Sequence, residues 1–422
     1  MEESKRKLTT AQVRFLNLMK AWFLQEEEGV FSEFSDAEIG GVVAIAREQG
    51  LLGFVYAYLY TYHRNRVSTK WLDALQREIK PLITNNYSLW QQTIHLFRKI
   101  HEAKLPCLLL KGPAIANYYS IPELRKSGDV DLWMYQPDTP AARGEVYYGQ
   151  DFITLNELLK ADGYVTNPSQ HANHHIGYLK DGCGEVEAHA LWMEDFHKHW
   201  VNEEIASYAQ SAYQRAMELE LFPGEHIKTL APGDLALQML LHMLQHYLTQ
   251  GFGWKFLCDW TAIWNHPDTM AAIEEVKQKV RDWHLETFVS YCCWISNKYL
   301  GMKDAPAQAL LLREVREDIA MELMSEMFAA GEFGDGEEGR MVAPEGKGVL
   351  GLVMEFHHQM RRNHYEASKS YWKWPYLWVV TLVEFIRNNH AIRNTSTRQI
   401  IANARRRGKL RRQMQLFKED GQ

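Results

Sequence analysis

Two aspartates, Asp129 and Asp131, flank a single valine at the start of the apolar stretch Asp129–Met134 (DVDLWM). Side chains alternate between the two faces of a strand, so these carboxylates share one face while Val130 occupies the other. Two like charges at adjacent same-face positions repel each other unless a cation lies between them. The pair therefore predicts a strand that holds a divalent cation, although many solvated strand ends carry the same pattern.

A second stretch, Gly184–Leu191 (GEVEAHAL), offers more carboxylates on one face. In a strand, Glu185, Glu187 and His189 would point the same way. If this strand lies beside the first, Glu187 would complete a site for two metal ions about 3.5–4 Å apart. Mg²⁺ takes oxygen ligands, typically one or two carboxylates together with substrate phosphates. Such a site is typical of nucleotidyl transfer, in which an attacking hydroxyl is activated and pyrophosphate leaves.

The region around these stretches mixes short strands with a helix. Apolar or alternating runs bounded by Gly, Pro or Asp predict strands, and a helical pattern lies between the second and third of them. The strands are predicted at Leu105–Leu110, Asp129–Met134, His175–Lys180 and Gly184–Leu191, and the helix at Phe152–Asp162. We therefore expect an α+β fold, with a small mixed β-sheet core flanked by N-terminal and C-terminal helical regions.

The 422 residues are enough for two or three domains. A segment rich in Gly and Glu, residues 331–348, predicts a flexible linker or loop. The whole division is an N-terminal helical region at 1–104, a core at 105–230, a helical domain at 231–330, the linker at 331–348, and C-terminal helices with a basic tail at 349–422.

The charge pattern restricts the partners. A net charge of -6 argues against wholesale binding of nucleic acid. The segment Arg393–Lys418, however, carries nine basic residues and no acidic one. It predicts contact with an anionic partner, such as RNA, an anionic surface or an acidic protein, or else one solvated face of a terminal helix.

Cysteine usage and hydropathy predict a cytoplasmic protein. The five Cys are scattered without a C-x-x-C pair, so neither a disulfide framework nor a cysteine zinc site is indicated. No signal peptide is apparent at the N-terminus. The most apolar segment, Tyr376–Ile386, is too short to span a membrane and contains Glu384, which favours a buried helix. We expect no membrane span.

The stretch Leu108–Trp133 (LLLKGPAIANYYSIPELRKSGDVDLW) resembles an uncharacterised bacterial nucleotidyltransferase family of the polymerase-β-like superfamily. That family is marked by Lys-Gly after a strand, then Arg-x-x-Gly-Asp-x-Asp-Leu, and an acidic-x-His pair on a later strand. The resemblance covers roughly Leu105–Trp264. The matching residues are Lys111, Gly112, Arg125, Gly128, Asp129, Asp131, Glu187 and His189, followed by His242, His246, Trp254 and Asp259.

The resemblance implies a metal-dependent enzyme that moves a nucleoside monophosphate from an NTP, with ATP favoured, to an unidentified acceptor. The acceptor could be a small molecule, a protein or RNA. The core at 105–230 would then be the nucleotidyltransferase core. Asp129, Asp131 and Glu187 would be the catalytic residues and would hold Mg²⁺ or Mn²⁺. The nucleotide would be bound by Lys111, Gly112, Arg125 and Gly128.

Two alternatives remain open. Pro113 stands where the superfamily usually has a Gly or Ser, and proline has no N–H to offer a phosphate. This departure favours a catalytically inactive binding or sensing protein with the same fold. The histidines between 171 and 199 favour a metal-dependent phosphohydrolase instead; they are His171, His174, His175, His189, His197 and His199. Arg125 could also pair with the nearby aspartates rather than contact phosphate.

Overall fold

The computed structural model describes residues 7–26, 35–136, 149–171, 174–196, 198–249, 251–332, 353–354, 356–357, 360–361, 364–368, 370–393 and 406–418. The chain divides into a larger unit, Leu8–Gln245 with Lys255–Glu314, and a smaller unit, Met1–Lys7 with His246–Trp254 and Val315–Gln422. Most of the expected linker, residues 333–348, and part of the basic tail, residues 394–405, lie outside the described residues. The five-part division stays a prediction.

Four helices begin the larger unit. A capping box starts the second of them, because the Ser35 hydroxyl accepts from the Glu38 N–H and the Glu38 carboxylate accepts from the Ser35 N–H. The last of the four spans 34 residues and packs one apolar face against the sheet described next. The helices are α1 (Thr10–Leu24), α2 (Asp36–Glu48), α3 (Leu52–His63) and α4 (Thr69–Glu102).

One mixed seven-stranded sheet forms the centre of the larger unit. Its strands are β1 (Cys107–Leu109), β2 (Asp129–Met134), β3 (Val165–His171), β4 (His175–Leu179), β5 (Glu185–His189), β6 (Met217–Phe222) and β7 (Glu225–Thr229). The spatial order is β3-β4-β5-β2-β1-β7-β6. The β2–β5 and β1–β7 pairs are parallel, and the other neighbours are antiparallel.

Alternation along β2 separates the core from the polar face. Val130 and Leu132 are fully buried in a cluster with residues of α4 and of the helix α6 (Gln150–Ala161) that follows β2. Asp129 and Asp131 therefore face the opposite side of the sheet. Burial of the apolar face fixes the strand register, because a slip of one residue would turn the carboxylates into the core.

The remaining helices complete an α+β fold, as expected from the sequence. In the larger unit and its junctions they are α5 (Pro113–Ala116), α7 (His199–Gln214), α8 (Pro232–Thr249), α9 (Trp254–Asn265), α10 (Pro267–Met270), α11 (Ile273–Asp282), α12 (Glu286–Leu300) and α13 (Asp304–Leu310). In the smaller unit they are α14 (Glu317–Ala330), α15 (Tyr365–Ser368) and α16 (Trp374–Arg393), and residues 406–413 are also helical.

The four predicted strands are confirmed, two of them shortened by three residues and a third by one. The strand expected at Leu105–Leu110 is β1 (Cys107–Leu109), and that at Gly184–Leu191 is β5 (Glu185–His189). The sequence analysis did not predict β3, β6 or β7. The sheet is consequently nearly twice as wide as predicted.

The apolar segment of α16 is helical as predicted, but the expectation that it is buried was wrong. Leu377 is only 4% exposed, whereas Tyr376, Val379 and Val383 are 69%, 60% and 56% exposed. Apolar residues occur all around this helix, so one contact face can cover only some of them. In the part of the chain that is described, no helix is both long and apolar enough to cross a membrane.

Part of the basic tail is engaged inside the smaller unit. Arg407 donates to the carbonyl oxygen of Tyr247 at 3.2 Å, and Nε of Arg406 lies 3.4 Å from a carboxylate oxygen of Glu326. Both arginines are mostly buried. A partner of the tail would therefore have to be recognised by other residues of the segment. All five cysteines are free, as expected.

Candidate metal and nucleotide site

The two acidic strands lie side by side. β2 and β5 are parallel, with Asp129 opposite Glu185 and Asp131 opposite Glu187. Residues directly opposite each other in a sheet share a face, so the three carboxylates lie on the same side of the sheet. Ligand atoms of Asp131 and Glu187 lie within 4.8 Å of each other, and Asp129 is the next residue on this face of β2.

Asp131 is the most deeply buried of the three carboxylates, at 1% exposure. Its Oδ1 lies 2.8 Å from Lys111 Nζ and 3.0 Å from His189 Nε2. Its Oδ2 is buried and has no hydrogen-bond partner among the described residues. Buried polar atoms are usually paired. Oδ2 is therefore an oxygen atom available to a cation.

The two aspartates differ in their electrostatic state. Burial and the neighbouring charge of Asp131 raise the pKa of Asp129 to about 7, and Lys111 offsets only part of this. Burial also disfavours ionisation of Asp131, but Lys111 and His189 hold its pKa well below the usual range. Asp131 is therefore ionised near neutral pH, whereas ionisation of Asp129 is unfavourable. A bound cation would favour the ionised form of both.

Glu187 lies between two histidines. Its carboxylate oxygens are 3.4 Å from His189 Nε2 and 3.7 Å from His175 Nε2. Burial opposes ionisation of Glu187, yet the contact with His189 lowers its pKa overall. Burial lowers the pKa of His175 to about 4, so this imidazole is neutral near neutral pH. The Glu187 side chain is 16% exposed, which makes it reachable from solvent.

Lys111 and Gly112 form the turn between β1 and α5. Burial disfavours the Lys111 ammonium, but Asp131, Glu187 and Asp129 outweigh burial and raise its pKa. Gly112 has a φ of +59°, which side chains rarely allow, and an added Cβ would lie 3.1 Å from the carbonyl oxygen of Asp129. The glycine therefore lets this turn pass close to the start of β2.

Arg125 is buried and pairs with Asp259 of α9. Its Nε and Nη2 donate to the two carboxylate oxygens of Asp259 at 2.7 and 2.8 Å, and the Tyr119 hydroxyl donates to the same carboxylate at 2.7 Å. Its Nη1 donates to the Gly112 carbonyl oxygen at 3.4 Å. The arginine thus ties α9 to the Lys111–Gly112 turn. The partner is Asp259, and not Asp129 or Asp131 as the alternative had it.

Gly128 precedes β2 and faces open space, since a Cβ there would meet nothing within 4 Å. Its φ lies outside the left-handed region, so the backbone does not require glycine at this position. The open space beside Asp129 is compatible with a ligand that approaches the backbone closely. Binding of nucleotide by Gly128 stays a prediction.

Two polar residues of α4 hold the loops that lead into β2 and β5, and the sequence analysis missed both. The Asn86 amide donates to the carbonyl oxygens of Glu123 and Arg125, at 2.7 and 2.9 Å. Gln92 exchanges two hydrogen bonds with the backbone of Gly184, each 2.8 Å long. An amide side chain on the otherwise apolar face of an amphipathic helix is the sequence pattern that could have indicated Asn86 and Gln92.

A cleft of about 310 Å³ opens beyond the carboxylates, at the carboxyl ends of β2 and β5. Trp133, which shares a face with Asp131, forms one wall, and Trp192 and α7 form others. Three lining side chains are acidic, namely Glu194, Asp195 and Glu203, and none of the described lining residues is basic. The described lining therefore offers no cationic side chain to a phosphate.

The sheet, its paired acidic strands and the buried lysine together define an α+β protein with a candidate metal and nucleotide site. Residues 35–301 match the model of a family described as "Uncharacterised nucleotidyltransferase". Since the match spans more than half of the 422 residues, the chain belongs to this family.

One solved structure with detectable similarity is that of an antigenic nucleotidyltransferase-like protein from Paracoccidioides brasiliensis. The two sequences are 18% identical, and the match covers 51% of this chain and 93% of that chain with a TM-score of 0.29. The comparison with curated proteins gave no match.

Proposed function

We propose that the protein is a divalent-metal-dependent nucleotidyltransferase, with an NTP, ATP being favoured, as the donor of a nucleoside monophosphate. Family membership supports transfer of a nucleotidyl group. The observation that supports a bound metal ion is Oδ2 of Asp131, which is buried beside Glu187 and has no hydrogen-bond partner among the described residues. A carboxylate oxygen without a donor is a natural ligand for Mg²⁺ or Mn²⁺. Asp129, Asp131 and Glu187 would hold the ion.

The proposed reaction is a displacement at the α-phosphorus. The acceptor oxygen forms a bond to that phosphorus, the bond from phosphorus to the bridging oxygen breaks, and pyrophosphate leaves with the electron pair. When bound, the metal would neutralise charge on the phosphate oxygens. Glu187 would take the proton of the acceptor hydroxyl on a carboxylate oxygen, because its side chain is the partly exposed one beside the buried Asp131.

The donor would bind at the amino end of β2. Lys111 would contact the triphosphate, and the buried Lys255 of α9, whose charge acts on Asp129, would add to the positive potential there. Gly112 and Gly128 would let the phosphates approach the backbone. Arg125 would act indirectly, because its pairing with Asp259 fixes the turn that carries Lys111.

The acceptor would enter through the cleft at the other end of β2 and β5. A triphosphate would be repelled by Glu194, Asp195 and Glu203, whereas an acceptor with a hydroxyl and a flat or apolar body could lie against Trp133. Donor and acceptor would thus reach the carboxylates from opposite ends of the same two strands.

Thermal melting tests the site without knowledge of the acceptor. The wild type and Asp129→Asn/Asp131→Asn would be melted with each of the four NTPs, with and without Mg²⁺ or Mn²⁺. A ligand that binds the folded state raises the Tm by mass action. The matched control is Glu218→Gln/Glu220→Gln, which removes two exposed carboxylates at the same spacing on β6. We expect a metal-dependent shift in the wild type and control only.

The products distinguish the alternatives. Pyrophosphate release that depends on an added cell extract supports the proposal. Binding without any release supports the inactive protein that Pro113 favours. Release of inorganic phosphate supports the phosphohydrolase, which the proximity of His174, His175 and His189 favours. Absence of a metal-dependent shift with every NTP would remove the basis of the proposed function.

A further inference from the structure

Two histidines share the polar face of the sheet with the carboxylates. In the β2–β5–β4 register, Trp133, His189 and His175 form one row. The adjacent row is Asp131, Glu187 and Gly177. Residues in register share a face, so both imidazoles point to the same side as Asp131 and Glu187. Gly177 therefore places no side chain opposite Glu187.

Among the described residues, His175 presents a nitrogen without a hydrogen-bond partner toward Glu187. The residue is 8% exposed, and its Nε2 is buried without a hydrogen-bond partner among the described residues. That atom lies 3.7 Å from a Glu187 oxygen. Its other nitrogen, Nδ1, lies 2.9 Å from Nε2 of His174. With the proton on Nδ1, the hydrogen bond to His174 orients the ring and Nε2 carries a free lone pair.

His189 supplies the second nitrogen. Its Nε2 is 3.0 Å from Asp131 Oδ1 and 3.4 Å from Glu187 Oε2. A cation bound there would displace the proton that Nε2 shares with Asp131, because an imidazole must be neutral at the ligating nitrogen. Asp131, Glu187 and His189 can share one ion, since one ligand atom of each lies within 4.8 Å of the others. His175 borders this group, because its Nε2 lies 3.7 Å from a Glu187 oxygen. Lys111 contacts Oδ1 and leaves Oδ2 accessible to an ion.

We propose that His175 and His189 are metal ligands beside Asp131 and Glu187, so that the site takes a transition-metal ion such as Mn²⁺ or Zn²⁺ in preference to Mg²⁺. Imidazole nitrogen suits these ions, whereas Mg²⁺ prefers oxygen and gives up its waters reluctantly. The inference rests on the metal site of the proposed function. It adds two nitrogen ligands to that site and a preference for Mn²⁺ or Zn²⁺ over Mg²⁺.

Electron spin echo spectroscopy of the Mn²⁺-loaded protein tests the ligands directly. Modulation by ¹⁴N at the bound Mn²⁺ is expected in the wild type and should be lost in His175→Gln/His189→Gln. Isothermal titration should show Mn²⁺ affinity reduced about 10–100-fold in that variant, with a much smaller change for Mg²⁺. His226→Gln, an exposed histidine on β7, is the matched control.

The spectrum of the wild type alone decides the matter if the double variant fails to fold. Bound Mn²⁺ without ¹⁴N modulation, or equal affinity for Mg²⁺ and Mn²⁺, would overturn the histidine ligands while a carboxylate site and the proposed function stand. No binding of Mg²⁺, Mn²⁺ or Zn²⁺ would overturn both. Modulation that persists in the double variant but is lost in Asp131→Asn would also exclude His175 and His189.

Discussion

Gly112 holds its turn at a φ of +59° and a ψ of −113°, with the Asp129 carbonyl oxygen 3.1 Å from where a Cβ would lie. Gly112→Ala should therefore reduce the free energy of unfolding by about 1–3 kcal/mol. Urea denaturation measures the change. Gly128→Ala is the control, because a Cβ at Gly128 would meet no described atom within 4 Å and its φ lies outside the left-handed region. Equal losses in both variants would contradict this account of Gly112.

Asp162 at the end of α6 lies within 3.2 Å of Lys99, His95 and Lys180. Burial opposes its ionisation, but these three partners lower its pKa overall. The ionised form therefore stabilises the fold above the unfolded pKa of about 3.9, and this contribution is lost as the pH falls through the lower folded pKa.

Asp162→Asn should accordingly reduce the free energy of unfolding by about 1–3 kcal/mol near neutral pH. The difference in this free energy between variant and wild type should shrink as the pH falls below about 4. Urea denaturation at a series of pH values measures it. Asp181→Asn removes an exposed carboxylate nearby and controls for net charge. A difference that grows toward low pH would contradict the assignment.

At the residue scale, sequence reasoning found the carboxylates but not all their partners. Asp129, Asp131 and Glu187 could be placed together because alternation in a strand is a local rule. The pairing of Arg125 with Asp259 spans 134 positions, and no local pattern encodes it. The sequence analysis therefore treated Arg125 as a candidate phosphate contact, and its alternative named Asp129 and Asp131 as partners instead of Asp259.

Among the elements, α4 positions both acidic strands through their preceding loops. Asn86→Ala would remove the donor to the carbonyl oxygens of Glu123 and Arg125. It should therefore reduce the free energy of unfolding by about 1–3 kcal/mol. It should also weaken the metal-dependent NTP shift in Tm. The adjacent Asn85→Ala, on the exposed face of the same helix, should change neither quantity. An unaltered NTP shift in Asn86→Ala would show that the loop does not depend on this residue.

The sequence pattern predicts some of the strands more clearly than others. β2 has a fully buried apolar face, and its two aspartates alternate with Val130 and Leu132. β3 contains Pro168 and lies at an edge of the sheet, where proline is tolerated but the strand pattern is weak. The β6–β7 hairpin has alternating Met217, Leu219 and Leu221 with a Pro-Gly turn, a signal that was present and not used.

For the whole molecule, the proposed function places the acceptor in the cleft and the donor at the other end of β2. Ala206→Trp on α7 would fill part of the cleft, and should lower label transfer from [α-³²P]ATP to a source-cell extract at least about tenfold. The NTP shift in Tm should be unchanged. Glu204→Trp places the same bulk on α7 outside the cleft and should retain transfer. Loss of the NTP shift in Ala206→Trp would place the donor in the cleft instead.

The long separation of Arg125 from Asp259 also determines when the site can exist during synthesis. β1 pairs with β7, which ends at Thr229, and the buried guanidinium has no carboxylate until Asp259 has left the ribosome. An unpaired charge in that position would cost about 3–5 kcal/mol. Lys111 and the aspartates are thus synthesised early, but they reach their positions in the site only after Asp259 has been made. A nascent chain that ends before α9 should not bind nucleotide, so the proposed activity would begin only when most of the larger unit has been made.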